Sequence, residues 1–381
     1  MNICVFGSGL VGRHIAVDLM KDNDNITLVD FNKDNLTEVK NRYEKIDIIE
    51  SDVTKSENVN KILKNMDIAV NAVPGSIGFK ALKDIINTGT DVVDIAFYPQ
   101  DPFELDNLAK EKGVISIVDM GIAPGISNLL AGYSTTFTDK LIDVAIYVGG
   151  LPKVRKLPFE YKAVFSPADV IEEYTRPSRL VENGKIVVKP PLTEPEFLEF
   201  DNIGTLEAFN SDGLRTLIET VKSLNMKEKT LRYPGHREKM KLFADTGMFS
   251  MEKISVNGIS VSPMDITAKL MFDHWKFTKD DRDFTVMRII INGVKKGEIV
   301  KYTFDLYDEY DEKNGVHSMA RTTGYTAAMG VRLIRDKRFG RVGISPPEFI
   351  GMEDGLKDYV LEGLKKRDIY FSESKISIKK E

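Results

Sequence analysis

One stretch, residues 3–30, constrains the fold of this chain more than any other. It reads ICVFGSGLVGRHIAVDLMKDNDNITLVD. A short apolar run, Ile3 to Phe6, leads into Gly7-Ser8-Gly9-Leu10-Val11-Gly12. A helix-like stretch follows, and a second apolar run ends at Asp30. Strand, glycine turn, helix and strand in that order form the fingerprint of a dinucleotide-binding βαβ unit. Gly7 permits the tight turn, Gly9 lets the backbone approach a pyrophosphate, and Gly12 lets the helix lie close to the sheet. The helix start then offers free N–H groups and a positive dipole end to the phosphates. Asp30 stands 18 residues after Gly12. A carboxylate there accepts hydrogen bonds from a ribose 2′-hydroxyl and repels a 2′-phosphate, so the expected cofactor is NAD rather than NADP. The bland alternative is a Rossmann domain that has lost its cofactor.

At 381 residues the chain exceeds one ordinary domain and fits two. A net charge of −5 with no basic block argues against a nucleic-acid partner. No apolar run is long enough to span a bilayer, and no signal-peptide pattern precedes the first strand, so no membrane association is expected. The one cysteine, Cys4, lies in the first apolar run and reads as a small buried hydrophobe. It allows no internal disulfide and no thiolate metal site, which points to a reducing cytoplasm. No set of His, Cys and carboxylates has metal-ligand spacing.

The first 120 residues alternate regularly. Strands are expected at 2–6, 26–30, 46–50, 67–73, 91–96 and 114–119, with helices near 10–21, 33–44, 56–65, 77–88 and 101–112. That rhythm predicts an α/β domain, a Rossmann-type parallel sheet with helices on both faces. Ligands of such sheets bind at the carboxyl ends of the strands. Asp52 with Val53, Asn71, Pro74, Asp94 and Asp119 all fall there. Beyond about residue 135 the pattern changes. A strand is expected over Leu141 to Val148, a basic loop over 152–158, and short β-like runs over 184–200. A hairpin over 283–292 and 298–307 is signalled by Asn292-Gly293 and Lys296-Gly297. This second region reads as α+β with a mixed or antiparallel sheet. The expected division is 1–122 for the nucleotide and 123–319 for substrate binding and dimerisation. A helical segment, Thr322 to Lys337, returns the chain to the first domain within about 320–350. Asp305 to Glu312 reads as a solvated hairpin end, and the charged tail from Lys375 to Glu381 as frayed.

Three clusters carry chemistry by composition. Asp119 to Gly125 joins an acid, two glycines and a proline ahead of an apolar helix; it is a cleft-facing helix start or a domain-linking turn. In Arg232-Tyr233-Pro234-Gly235-His236, arginine offers a fork for a carboxylate and histidine exchanges protons near neutrality. A solvated surface turn fits equally. In Glu160-Tyr161-Lys162, the lysine is an acid/base candidate or a solvated strand residue. Phe209 to Arg215 reads as a polar turn entering a helix, with Ser211 or Asp212 as N-cap. His14 and His274 read as structural, and His317 remains open between the two roles.

The order of longer tracts carries a resemblance. GSGLVG, VDMGIAPGISNLLAGY, YVGGLP, FEYKAVFSPADVIEEYTRP, ENGK, EAFNSDGLRTL, TLRYPGH and MARTTGYTAA occur in sequence. With them the chain resembles the saccharopine dehydrogenase-like oxidoreductases, in particular the NAD-dependent L-lysine 6-dehydrogenases. The resemblance implies a two-domain enzyme, usually a homodimer, in which a nicotinamide cofactor takes hydride from a carbon bearing nitrogen. In lysine 6-dehydrogenases the ε-amine becomes an imine, which water converts to 2-aminoadipate semialdehyde. Asp119 is then implied as a cleft carboxylate for the α-amine or proton transfer. Arg232 is implied for the substrate carboxylate, His236 for acid/base work, and Gly125 as the start of the helix beside the nicotinamide. Lys162 departs from this pattern: it is similar to the glutamate-forming saccharopine reductases, where lysine 6-dehydrogenases carry Asn. The Asn-Arg-Asp turn of those reductases is Asn210-Ser211-Asp212 here, and Arg215 is the nearby cation for a second carboxylate. Saccharopine, or a carboxylated polyamine such as carboxynorspermidine, is therefore an alternative substrate. A non-catalytic NAD-binding protein is the alternative of another class.

Overall fold

The computed structural model describes residues 1–163, 167–278 and 280–378. The chain divides into two compact units, residues 1–137 with 320–370, and residues 138–319 with the segment from 371 on. The first unit opens with β1 (Asn2–Phe6), α1 (Leu10–Met20), β2 (Asn25–Asp30), α2 (Lys33–Arg42), β3 (Asp47–Glu50) and α3 (Ser56–Leu63). It continues with β4 (Ile68–Asn71), α4 (Gly75–Asn87), β5 (Asp91–Asp94), α5 (Asp106–Lys112), β6 (Ile115–Ile117) and α6 (Ile126–Ser134). The second unit holds β7 (Lys140–Pro152), α7 (Pro167–Thr175), β8 (Ser178–Glu182), β9 (Lys185–Lys189), β10 (Glu196–Phe200) and β11 (Gly204–Asn210). It adds α8 (Leu217–Thr220), β12 (Ser223–Arg232), α9 (His236–Asp245), β13 (Ile254–Val256), β14 (Ile259–Val261), α10 (Pro263–Trp275), β15 (Asp283–Lys295) and β16 (Glu298–Glu309). The chain returns to the first unit through α11 (Ser318–Arg335), with β17 (Gly343–Ser345), α12 (Pro347–Met352) and α13 (Leu356–Lys365). It closes with β18 (Phe371–Ile378) in the second unit.

The first sheet is seven-stranded in the order β17-β6-β5-β4-β1-β2-β3, and its pairs are parallel. The order reverses at β1, between β2 and β4, which makes the loop after β1 the switch point where such sheets bind ligands. Its central strands β1, β4 and β5 are buried almost throughout, as a sheet covered on both faces requires. Residues 123–137 belong to this unit because α6 packs tightly on α12. A Cβ on Gly132 would lie 2.2 Å from the Glu348 carbonyl oxygen, and one on Gly351 1.9 Å from that of Leu129.

The second unit is built on a nine-stranded mixed sheet running β10-β11-β12-β7-β15-β16-β18, with β8 attached at β12 and β9 paired to β8. Only β12 and β7 pair in parallel along that path. Its aromatic core gathers Phe159, Tyr161, Tyr174, Phe209 and Trp275.

Several local expectations are corrected here. Asn292-Gly293 is not a turn: both residues continue β15, where a register shift against β7 accommodates them. The turn is Lys296-Gly297, both in the left-handed region at φ +51° and +79°. Asp305 to Glu309 lies within β16, and Asp308 is buried rather than solvated. The expected frayed tail is β18 through Ile378, paired antiparallel to β16; residues 379–381 lie outside the described residues.

Candidate functional site

In the first unit the glycine turn is sterically determined. Gly7 has φ +100°, and a Cβ there would lie 2.4 Å from the Ala72 carbonyl oxygen. A Cβ on Gly12 would lie 2.0 Å from the Gly7 oxygen, so the helix sits as close as backbone allows. Gly9, the N-cap of α1, is different: a Cβ there would meet nothing within 4 Å. Its missing side chain is required by no protein neighbour, which fits the approach of a ligand. Leu10 and Val11 form the first turn of α1, whose N-cap has no side-chain partner. Asp30 ends β2. Its Oδ2 accepts from the Ser8 backbone N–H at 2.6 Å and the Ser8 hydroxyl at 2.8 Å, and its Oδ1 from Asn32 N–H at 2.9 Å. Oδ1, with a single donor, retains lone-pair capacity for a ribose hydroxyl. The donors present fit a dinucleotide.

The remaining rim residues play several parts. Asp52 accepts from the backbone and hydroxyl of Thr54, which holds its carboxyl below the usual range, and Val53 beside it is buried. Asn71 is fully buried and donates to the Gly78 carbonyl and to Asp94, each at 3.0 Å, while its Oδ1 has no partner. Pro74 is exposed at the N-cap of α4. Asp119 is buried with φ +53°. Gly125 has φ +140°, and a Cβ there would lie 1.7 Å from the Gly121 oxygen; its glycine is demanded by the loop itself.

In the second unit a different arrangement forms around the end of β12. Arg232 is 3% exposed and is held on several sides. Its Nη2 donates to Glu173 Oε2 at 2.6 Å, its Nη1 to the Leu231 carbonyl at 2.9 Å, and its Nε to the Tyr174 hydroxyl at 3.3 Å. The guanidinium also lies 4.4 Å from the centre of the Tyr161 ring. Burial works against this cation, but Tyr174, Tyr161 and Glu173 hold its pKa above the ordinary arginine value. Beside it, His236 is fully buried. Its Nδ1 lies 2.9 Å from the Phe159 carbonyl oxygen, so Nδ1 carries the proton and Nε2 accepts from the Tyr174 hydroxyl at 2.9 Å. Burial, then the Arg232 charge, pushes His236 down to about 3. The ring is thus a neutral, doubly bonded brace for Tyr174 in this arrangement. Burial raises Tyr174 to about 12 and Tyr161 upward as well.

The structure brings Tyr161 beside Arg232 and His236, which lie in two separate clusters of the sequence, and adds Glu173 and Tyr174, which were not among the candidates. Glu228 is buried on β12, accepts from the Ser211 hydroxyl at 2.7 Å and Gly213 N–H at 3.1 Å, and is pushed up to about 8 by burial, with Glu173 and Asp212 adding to it. Strand parity was the available signal, since residues 228 and 232 share one face of β12. Lys162 is not in this group. Its Nζ donates to the Lys276 carbonyl at 2.6 Å and lies 3.5 Å from Asp281, which also binds Lys156. With Tyr161 and His274 it lines a pocket of about 180 Å³ in this unit. Arg215 is buried with φ +54°. Ser211 and Asp212 cap no helix: Ser211 binds Glu228, and Asp212 takes the Arg179 guanidinium at 2.9 and 3.0 Å. α8 begins only after Thr216. His274 stacks edge-on against Phe159, and His317 Nδ1 lies 3.1 Å from Asp283.

A parallel sheet with a glycine switch-point turn, joined to a mixed-sheet unit with a braced arginine, defines a two-unit protein of the pyridine-nucleotide-binding class. Within that class the chain belongs to the saccharopine dehydrogenase family. The saccharopine dehydrogenase C-terminal domain matches residues 121–369, and the saccharopine dehydrogenase NADP binding domain residues 3–117. Mitochondrial alpha-aminoadipic semialdehyde synthase of Mus musculus is 21% identical over 91% of this chain and 45% of its own. The chain thus spans about half the length of that relative. Saccharopine dehydrogenase (NADP(+), L-glutamate-forming) of Saccharomyces cerevisiae is 22% identical, with 99% of each chain covered. The solved apo structure of histidine-tagged saccharopine dehydrogenase (L-Glu forming) from that yeast superposes with a TM-score of 0.80 at 20% identity, covering 98% of this chain and 99% of that one. That likeness establishes the fold. No helix among the described residues is long and apolar enough to cross a membrane.

Proposed function

We propose that this protein is a pyridine-nucleotide-dependent oxidoreductase acting on a carbon–nitrogen bond of an amino acid, with the ε-amine of L-lysine as the favoured substrate. The observation that carries the reading is Arg232, a buried guanidinium braced by Tyr174, Tyr161 and Leu231 and paired with Glu173, in a chain whose other unit has the glycine turn. Such a cation suits an amino-acid carboxylate. When bound, the nicotinamide supplies the hydride acceptor. The chain's own tasks are to hold the carboxylate, to keep the reacting amine neutral and to exclude water. Arg232 takes the first task, and Tyr174, fixed by His236, orients it. Asp119 is the proposed acceptor of the amine proton, because an ammonium has no lone pair with which to form C=N. Asp30 supports NAD as the cofactor. Lys162 and Arg215, the other cations weighed for substrate, belong to the second reading: saccharopine with NADP. The yeast relative matched over its full length, whose name carries both, favours that reading. A homodimer is part of either reading, and light scattering tests it.

The test is reduced-nucleotide formation at alkaline pH with lysine and with saccharopine, each with NAD and NADP. Lysine turnover with ammonia release is the expected result. Turnover on saccharopine alone moves the assignment to the second reading, and silence on both contradicts the proposal.

A further inference from the structure

Glu173 lies within the FEYKAVFSPADVIEEYTRP tract but was not among the candidate site residues, yet it is the ion partner of Arg232. The Nη2 to Oε2 distance is 2.6 Å, and the two side chains keep 4% and 20% of their surface exposed. Arg232 cannot swing away, because its Nε, its Nη1 and the face of its guanidinium are held by Tyr174, Leu231 and Tyr161. Glu173 is the more exposed member of the pair, so the pair's more open side is that of Glu173, at the Nη2 edge.

We propose that Glu173 and Arg232 together recognise the zwitterionic head of an α-amino acid, Arg232 taking the carboxylate and Glu173 the ammonium. This rests on the function proposed above and names a determinant of its specificity. A carboxylate and an ammonium on one carbon repeat the charges of the pair in reverse. When the head inserts, one protein ion pair becomes two protein–ligand pairs, and no charge is left buried without a partner. A ligand with the carboxylate alone displaces Glu173 from Arg232 and strands a half-buried carboxylate, which is costly. A ligand with the amine alone offers Arg232 nothing. The site therefore prefers the complete head over either half.

The experiment is calorimetric binding of L-lysine, 6-aminohexanoate (no α-amine) and 1,5-diaminopentane (no carboxylate) to the full chain, with saccharopine as a second α-amino acid. Wild-type protein is expected to favour the α-amino acid over each half-ligand by about tenfold or more. Glu173→Gln is expected to reduce the preference over 6-aminohexanoate to within about threefold while the preference over 1,5-diaminopentane persists. Glu173→Asp, which keeps the charge, is expected to retain both preferences and guards against misreading a folding defect. Equal wild-type affinity for lysine and 6-aminohexanoate, or an unchanged preference in Glu173→Gln, overturns the inference. So does the absence of binding by both α-amino acids. Hydride transfer is measured separately. Turnover with unaltered head-group preference keeps the proposed function and rejects the role of Glu173. Binding with the expected preferences but no turnover does the reverse.

Discussion

The two candidate sites are built by opposite means. At the switch point of the first sheet the working groups are backbone N–H groups and missing side chains: Gly7, Gly9 and Gly12 shape a turn within six consecutive residues. In the second unit the working groups are side chains that meet across the fold. Tyr174 and Arg232 are 58 residues apart in sequence, and Phe159 and His236 are 77 apart. The first kind of site is written locally and tolerates little substitution. The second is assembled by packing, and each member is held by several others.

The largest effect should come from Gly12. Gly12→Val drives a side chain into the Gly7 carbonyl, and nucleotide binding should fall by roughly a hundredfold or more, with loss of thermal stability in the first unit. Gly9→Ala should weaken nucleotide binding while leaving the melting temperature nearly unchanged. Equal destabilisation by the two would erase the distinction between a packed and an open glycine. Next in size, Arg232→Ala leaves Glu173 without its cation and should cost about 3–5 kcal/mol in the second unit, seen in denaturant unfolding. Calorimetric NAD(P) binding should survive; its loss would place Arg232 at the cofactor instead.

Two buried groups set opposite pH slopes in the second unit. His236 titrates at about 3 in the fold against an ordinary 6.5. The unfolded chain takes a proton in that window and the native one does not, so stability falls as pH drops from 6.5. Glu228 titrates at about 8 against 4.5. Here the native state holds the proton, so its contribution is complete below 4.5 and is lost as pH rises to about 8. Each full slope is about 1.4 kcal/mol per pH unit. Glu228→Gln should flatten the loss between pH 6.5 and 8, measured as denaturant midpoints at both values; an unchanged slope would remove Glu228 from this account. The smallest effect is at Asp30. Asp30→Ala should weaken NAD by about tenfold and relax discrimination against NADP; unchanged affinities for both would dismiss its assignment.

The same contrast explains what the sequence made legible. Buried parallel strands read as apolar runs, so β4, expected at 67–73, is found at Ile68–Asn71 and is buried along its length. In the second unit, pairing overrode local signals. Asn292-Gly293 has turn composition, but pairing to β7 carries β15 through it with a bulge. β18 was hidden by its charge and exposure, because an edge strand contributes few apolar positions. Arg232 and His236 were singled out because TLRYPGH is a compact tract; Glu173, on another element, was not, since no spacing announces such a partner. His236 drew attention as a titrating group, whereas burial between Phe159 and Tyr174 holds it neutral. Lys162 was drawn in by its neighbour Tyr161, but the two side chains part, one to Asp281 and the other to Arg232.

The central claim is that hydride leaves a carbon bearing nitrogen for a nucleotide held at the glycine turn. L-Lysine carrying deuterium at its amine-bearing side-chain carbon tests it most directly, with mass spectrometry of the reduced nucleotide after turnover. The account predicts deuterium in the nicotinamide ring and a slowed chemical step relative to unlabelled lysine. Reduced nucleotide without the label would place the oxidised bond elsewhere and contradict the claim.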